Sequence, residues 1–148
     1  MKFEIITKNS KLTDELLTIL QTEWPEAYVW LTDVIDDWST TKLPQIIVAT
    51  KNTQIIGYYS LVEKELIKDN LTYTPWLGTL FIRKKYRGMH YSPILIADAC
   101  QRVKDMGYGN LFLATEHIGY YEKFGFIKIG SGQYLWGTTT KFYKKQLL

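Results

Sequence analysis

Residues 80–95 read LFIRKKYRGMHYSPIL, and this stretch is the part of the sequence that indicates the fold most clearly. The apolar run at its start is typical of a β-strand. The stretch from Ser92 predicts an α-helix, because Ser92 is a good N-cap and Pro93 suits the first helical turn. The basic loop between them ends where main-chain N–H groups lack helical partners and the helix dipole is positive. Strand, loop and helix together predict a site for a phosphate-bearing ligand.

The loop itself has a mixed composition. Gly88 and Ser92 are small, which lets phosphate oxygens approach the main chain. Met89, His90 and Tyr91 are larger. Four cationic side chains surround the same stretch: Arg83, Lys84, Lys85 and Arg87. Taken alone, a basic loop with one glycine is a weak indication of phosphate binding.

Hydrophobic periodicity predicts the other elements of the chain. Strands are predicted at 2–7, 46–49, 55–62, 76–82, 110–114, 126–130 and 134–143, and helices at 11–23, 27–37, 92–106 and 120–124. This order predicts a mixed α/β fold in which helices cover a central sheet, as one domain over residues 1–148. The strand at 76–82 is apolar enough to be buried on both faces. Gly57 inside its strand indicates a bulge or a close approach of two main chains.

Composition limits the class of protein. The chain has 148 residues, 46% hydrophobic and 15% aromatic, which argues against disorder. No apolar run approaches the roughly 20 residues of a membrane span, and the first residues lack the core of a signal peptide. The single cysteine, Cys100, excludes an internal disulfide. A cytoplasmic protein without a membrane partner is therefore expected.

Charge is distributed unevenly along the chain. The net charge is +3, but residues 12–41 contain seven Asp and Glu and no Lys or Arg. That stretch carries −7, so the remainder carries +10. The pattern indicates one lobe suited to a cation and another suited to an anion, or two ordinary solvated surfaces.

A second motif, YYEKFGF, occupies residues 120–126. Together with the run at 80–82 and the Arg87-Gly88 pair, it resembles the GNAT superfamily of N-acetyltransferases. The acetyl-CoA-binding segment of that family reads Arg-Gly-x-Gly-x-Gly/Ala, so His90 stands where Gly is usual and Ser92 where Gly or Ala is usual. The hairpin around residues 47–58 resembles the second and third strands of the family, which extends the resemblance over residues 45–130.

The resemblance implies a GNAT-like fold: a mixed, mostly antiparallel sheet of six to seven strands, flanked by about four helices. It implies acetyl-CoA as the cosubstrate and no metal. The implied contacts to acetyl-CoA are Leu80, Phe81, Ile82, Arg87, Gly88, Met89, His90, Tyr91 and Ser92, with Thr115 and Lys123 from later in the chain. At the unusual position, only the main chain of His90 would face the pyrophosphate.

The resemblance also implies that Tyr121 is the general acid. A phenol with a pKa near 10 can protonate a departing thiolate whose thiol has a pKa of about 8.5. The alternative is that Tyr121 is an ordinary core aromatic residue. The general base is left open, because residues 71–82 contain no carboxylate. Candidate proton relays are Glu116 and His117, with Glu63 or a water chain as alternatives.

The acidic stretch favours a cationic acceptor. It contains Trp24, Trp30 and Trp38, and carboxylates with aromatic faces bind amines by ion pairing and cation–π contact. The predicted function is acetyl transfer to a small polyamine-like or aminoglycoside-like amine. A non-catalytic acyl-CoA-binding regulatory module of the same fold is the alternative. Nucleic-acid binding is disfavoured by the low net charge, and an exposed strand edge near 134–143 suggests a homodimer.

Overall fold

The structure, a computed structural model, describes residues 1–147. The strands are β1 (Lys2–Ile6), β2 (Gln45–Lys51), β3 (Gln54–Val62), β4 (Trp76–Ile82), β5 (Asn110–Thr115), β6 (Ile127–Gln133) and β7 (Thr139–Gln146). The α-helices are α1 (Thr13–Glu23), α2 (Pro25–Asp33) and α3 (Ser92–Asp105), and short 3₁₀ helices lie at Ile35–Asp37, Lys84–Tyr86 and Tyr121–Phe124.

The strands form one sheet in the order β1-β2-β3-β4-β5-β7-β6. The pairs β1–β2, β2–β3, β5–β7 and β6–β7 are antiparallel, and β4 runs parallel to β5. This confirms the predicted mixed α/β fold and its mostly antiparallel sheet. In the described part of the chain, three α-helices stand where about four were expected, because the segment at 121–124 is a single 3₁₀ turn.

The chain forms two compact units that divide within β4. The first comprises Met1–Leu61 and Thr79–Leu95, and the second comprises Val62–Gly78 and the residues from Ile96 onward. None of the helices within residues 1–147 is both long and apolar enough to span a membrane.

In the first unit, the helices begin where the sequence favours helical starts. Asp14 and Glu15 lie in the first turn of α1, where acidic side chains stabilise the helix dipole. α2 begins at Pro25, two residues earlier than predicted, because proline suits the first helical position. The buried core of this unit includes Leu16, Leu20, Leu31, Trp38, Ile46, Val48, Tyr58 and Phe81.

The close main-chain approach predicted at Gly57 is present. A Cβ atom at this position would collide with the carbonyl oxygen of Phe81. The main-chain N–H of Arg83 donates to the carbonyl oxygen of Ile56 (2.8 Å), which fixes the end of β4 beside β3. Ile56 also has no partner in the register with β2, since Ala49 pairs with Gly57 and Thr50 with Ile55, so a bulge accompanies the close approach.

In the second unit, β5 lies between β4 and β7. Trp76 pairs with Phe112 and Leu77 with Leu113, while β5 pairs along its whole length with β7. The predicted strand at 134–143 is wrong at its start, because residues 134–138 form a turn closed by the N–H of Tyr134 and the carbonyl oxygen of Thr138 (2.9 Å). β7 is also an interior strand, and β6 lies at the edge, so the exposed edge that suggested a homodimer is misplaced.

The expectation that β4 is buried on both faces is wrong for its middle. Trp76, Leu77 and Phe81 are buried, but residues 78–80 and Ile82 are only partly buried. A strand that reads as uniformly apolar therefore contains residues that are only partly buried. Periodicity could not reveal this, because an apolar residue that is partly exposed and one in a core look the same in sequence.

We expect Gly57→Ala to lower the free energy of unfolding by about 1–3 kcal/mol, because the added methyl group overpacks against rigid main chain. Urea denaturation followed by circular dichroism measures this loss. Gly130→Ala is the matched control: its Cβ would lie 3.6 Å from Phe142 Cδ2, an ordinary contact, so its stability should change by less than about 0.5 kcal/mol. Equal losses in the two variants would contradict the steric explanation.

Candidate functional site

The loop between β4 and α3 has an unusual backbone. Gly88 (φ +81°) and His90 (φ +61°) both lie in the left-handed region, and Met89 between them does not. Such alternation is how consecutive main-chain N–H groups come to face one anion. His90 is exposed and forms no hydrogen bond with another residue in the part of the chain that the structure describes.

The loop leads directly into the start of α3. The carbonyl oxygen of Tyr91 accepts hydrogen bonds from the N–H groups of Ile94 (3.0 Å) and Leu95 (3.2 Å). Tyr91 therefore occupies the N-cap position and Ser92 the first helical position, so the helix begins one residue earlier than predicted. Across residues 1–147, the N–H groups of His90 and Tyr91 have no hydrogen-bond acceptor. Two free donors at the positive end of a helix fit a phosphate group.

Three of the four predicted cations are open to a ligand. Lys84, Lys85 and Arg87 are exposed, and the Nε of Arg87 donates to the carbonyl oxygen of Ile82 (3.0 Å). Arg83 is instead paired with Glu23, with 3.3 Å between its Nε and Oε2. It therefore does not contribute an uncompensated charge to the loop.

Glu23 and Lys51 are site residues that the sequence did not indicate. Besides pairing with Arg83, Glu23 accepts a hydrogen bond from the N–H of Lys84 through Oε1 (2.7 Å), so one carboxylate fixes the first residues of the loop. The Nζ of Lys51 lies 3.4 Å from the hydroxyl of Tyr91 and 5.6 Å from its ring centroid. Both contacts join residues that are far apart in the sequence, so no local sequence pattern indicates them.

The predicted contact residues of β4 divide between two faces. Phe81 is buried between the rings of Trp24 and Tyr58, with centroids 6.1 Å away in each case. Leu80 and Ile82 point to the opposite face and are partly buried. Phe81 can therefore offer a ligand only its main chain, whereas its neighbours can also offer side chains.

Two buried residues of the first unit carry unsatisfied polar groups. Among the described residues, the Trp38 indole N–H and the Tyr58 hydroxyl are buried without a hydrogen-bond partner. The Tyr58 hydroxyl lies near Thr79, but the hydroxyl of Thr79 is bonded to that of Ser60 (2.7 Å), and burial raises the pKa of Tyr58 far above its usual value. Unpaired buried donors cost about 1–3 kcal/mol each, so both groups reduce the stability of this core.

In the second unit, the residues after β5 form a short link. The Oγ1 of buried Thr115 accepts a hydrogen bond from the N–H of His117 (3.1 Å). Glu116, His117 and Lys123 are exposed. The N–H of Gly119 donates to the Oε2 of Glu122 (3.1 Å), which orients the turn that follows. The two predicted proton relays therefore stand in solvent rather than in a desolvated pocket.

Tyr121 begins the 3₁₀ turn, which ends at Gly125 in a left-handed conformation (φ +88°). Its ring contacts Tyr120 and Phe126, with centroid distances of 5.0 and 5.9 Å. Burial, with smaller effects from Tyr120 and Tyr134, raises the pKa of Tyr121 to about 12. Within residues 1–147 its hydroxyl makes no hydrogen bond. Tyr121 is thus protonated at neutral pH, and its hydroxyl is available to donate a proton or a hydrogen bond.

Two further groups of the second unit were missed by sequence reasoning. Glu65 is partly buried, and desolvation raises its pKa to about 7 although its Oε1 accepts a hydrogen bond from the N–H of Leu66 (2.9 Å). The hydroxyl of Tyr134 donates to the carbonyl oxygen of Ala114 (3.3 Å). Over the described chain, no cluster of three or more His, Cys, Asp or Glu residues is arranged to hold a metal ion.

A comparison with protein families matches residues 10–126 to the acetyltransferase (GNAT) family. The chain therefore belongs to this family, which confirms the resemblance found in its sequence. No curated protein gives a significant sequence match.

Solved structures share the fold over nearly the whole chain. An aminoglycoside 6'-N-acetyltransferase complexed with coenzyme A superposes with a TM-score of 0.76 at 15% identity, covering 100% of this chain and 98% of the other. The aminoglycoside 6'-N-acetyltransferase from Enterococcus faecium gives 0.73 at 15% identity with the same coverage. A GNAT acetyltransferase from Elizabethkingia anophelis with acetyl-CoA bound gives 0.70 at 18%, covering 99% and 97%. At these identities the likeness shows the fold.

We expect His90→Gly to be more stable than His90→Ala by about 1 kcal/mol, because only glycine adopts the observed φ of +61° without strain. Chemical denaturation of the two variants measures the difference. Since the main chain is the predicted anion ligand, His90→Gly should also keep the wild-type affinity for CoA in titration calorimetry. A large loss of affinity in both variants would show that the imidazole itself binds.

Proposed function

We propose that this protein transfers an acetyl group from acetyl-CoA to the primary amine of a small cationic acceptor. The observation that carries the proposal is the loop at 87–91, where free N–H groups precede α3 in a member of an acetyltransferase family. Two of the similar structures hold CoA or acetyl-CoA, and two are aminoglycoside 6'-N-acetyltransferases, which supports an amine acceptor.

We assign the binding of acetyl-CoA mainly to main-chain groups. The N–H groups of residues 88–91 receive the pyrophosphate, and Lys84, Lys85 and Arg87 add positive charge around it. The accessible main chain of β4 at Leu80 and Ile82 receives the pantetheine arm. Thr115 and Lys123 remain proposed as further contacts.

Catalysis is assigned to Tyr121 as the general acid. When the neutral amine attacks the thioester carbonyl, a main-chain N–H of residues 80–82 stabilises the charge that develops on its oxygen. The C–S bond then breaks, and the Tyr121 hydroxyl gives its proton to the departing sulfur. A phenol with a raised pKa remains protonated at neutral pH, so it can give this proton as the sulfur leaves as a thiol, and the proton that the attacking nitrogen loses then restores the Tyr121 hydroxyl.

The acceptor is assigned as cationic because of the first unit's composition. Of the acidic residues between 12 and 41, Glu23 and Asp36 are paired with Arg83 and Lys8, and the remaining carboxylates are exposed. A polyamine or an aminoglycoside carries the positive charge that such carboxylates pair with.

The test is an acetyl-transfer screen that measures thiol release from acetyl-CoA with kanamycin, spermidine, glucosamine and glutamate as acceptors. We expect turnover with kanamycin or spermidine and none with glutamate. Calorimetric titration with acetyl-CoA runs alongside the screen. Transfer to glutamate alone would refute the cationic acceptor, and tight binding without transfer to any amine would favour the non-catalytic regulatory module.

We expect Tyr121→Phe to lower kcat at least tenfold while the affinity for acetyl-CoA changes by less than twofold, because only the proton donor is removed. Steady-state kinetics and calorimetry measure the two quantities. Tyr120→Phe removes the adjacent hydroxyl and serves as the comparison. Since the pKa of Tyr121 is near 12, no alkaline loss of activity below about pH 10 should come from it. Equal rates in wild type and Tyr121→Phe would remove Tyr121 from the mechanism.

A further inference from the structure

The last residue of α1 contacts the beginning of the loop between β4 and α3, within the first unit. One oxygen of the Glu23 carboxylate accepts a hydrogen bond from the main-chain N–H of Lys84 (2.7 Å), and the other pairs with the Nε of Arg83 (3.3 Å). The ring of Trp24, the next residue, stacks on that of Phe81 with 6.1 Å between centroids. The end of α1 is therefore joined to the end of β4 and to the residues that follow it.

The stability of α1 does not account for a carboxylate at this position. Glu23 is the final residue of the helix, where the dipole is negative and an acidic side chain is unfavourable. The last turn of α1 contains no basic residue that would compensate for it. The Glu23 side chain is also mostly buried, with 13% of its surface exposed. A desolvated anion at the negative end of a helix needs partners elsewhere, and here they are Arg83 and Lys84.

The hydrogen bond from Lys84 to Glu23 is the first of a short series that leads to the predicted phosphate site. The carbonyl oxygen of Lys84 accepts a hydrogen bond from the N–H of Arg87 (3.3 Å). Gly88 follows directly in a left-handed conformation. Because Glu23 holds the Lys84 peptide, it restricts where residues 87–91 lie before a ligand binds, which lowers the cost of ordering them on binding.

Glu23 also reduces the positive charge of the loop. Residues 83–87 contain four cations, and in the part of the chain that the structure describes Arg83 is the one that forms an ion pair. The loop therefore presents three uncompensated cations instead of four. Each unit of charge near a phosphate changes its attraction to the protein, by an amount that salt screens.

We propose that Glu23 is a positioning residue for acetyl-CoA. It holds the first peptide of the loop in place, and it prevents Arg83 from adding its charge to the phosphate site. This assignment rests on the binding of acetyl-CoA at residues 87–91, which is part of the function proposed above. The two carboxylate oxygens then have opposite effects: the bond to Lys84 strengthens the binding of acetyl-CoA, and the pair with Arg83 weakens it.

The experiment measures the dissociation constant of acetyl-CoA by titration calorimetry at about 20 mM and about 500 mM salt. Glu23→Gln keeps an oxygen that can accept from Lys84 but removes the charge that pairs with Arg83. It should bind acetyl-CoA about threefold more tightly than wild type at low salt and equally at high salt, where charge is screened. Glu23→Ala removes both contacts and should bind about tenfold more weakly than wild type at high salt.

Two comparisons identify the source of these effects. Glu4→Gln makes the same change in net charge at an exposed residue of β1, and its affinity should stay within about twofold of wild type at both salt concentrations. Adding Arg83→Gln to Glu23→Gln should abolish the gain at low salt, because the released guanidinium is then absent. Thermal unfolding of every variant is measured alongside, and where Glu23→Ala does not fold, the sign of the change in Glu23→Gln decides.

The role of Glu23 would be overturned if Glu23→Gln bound no more tightly than wild type at low salt, or if its gain persisted at high salt or without Arg83. Wild-type affinity in a folded Glu23→Ala would overturn it as well. In each case, acetylation of an amine by the wild type leaves the proposed function standing. Binding of acetyl-CoA without transfer overturns the proposed function alone, and absence of binding by the wild type overturns both.

Discussion

The loop between β4 and α3 depends on the close approach of two main chains at Gly57 and Phe81. Because no Cβ stands between them, β3 and the end of β4 come near enough for Arg83 to donate to the carbonyl oxygen of Ile56. That bond determines where β4 ends and where the 3₁₀ turn at 84–86 begins. The turn then directs residues 87–91 toward the start of α3. The position of the free N–H groups therefore depends on the absence of a Cβ atom at Gly57.

In the second unit, the environment of two side chains changes their proton affinities. Glu65 and Tyr121 are ordinary residue types whose proton affinities are changed by burial rather than by charged partners. Desolvation disfavours the ionised form of both, which makes the carboxylate a stronger base and the phenol a more persistent donor.

The sequence was sufficient for features encoded by local pattern. The apolar run of β4, the loop beginning at Arg87-Gly88 and the helix from Ser92 follow from neighbouring residues, and the motif at 120–126 extends them to a family. The sequence was insufficient for features that depend on contacts between residues far apart in the chain. The carboxylate of Glu23 lies in an acidic stretch that favoured a substrate role, yet it is engaged by Arg83 and Lys84. Burial of Glu65 likewise depends on contacts that form only in the folded chain.

The shared carboxylate of Glu23 has a consequence for how this sequence can diverge. One oxygen meets the guanidinium of Arg83 and the other meets the main-chain N–H of Lys84. Replacing Glu23 alone leaves a mostly buried charge and a main-chain donor unpaired, whereas replacing Arg83 alone leaves an unbalanced anion beside the loop that is proposed to bind phosphate. The two positions are therefore expected to change together among homologues.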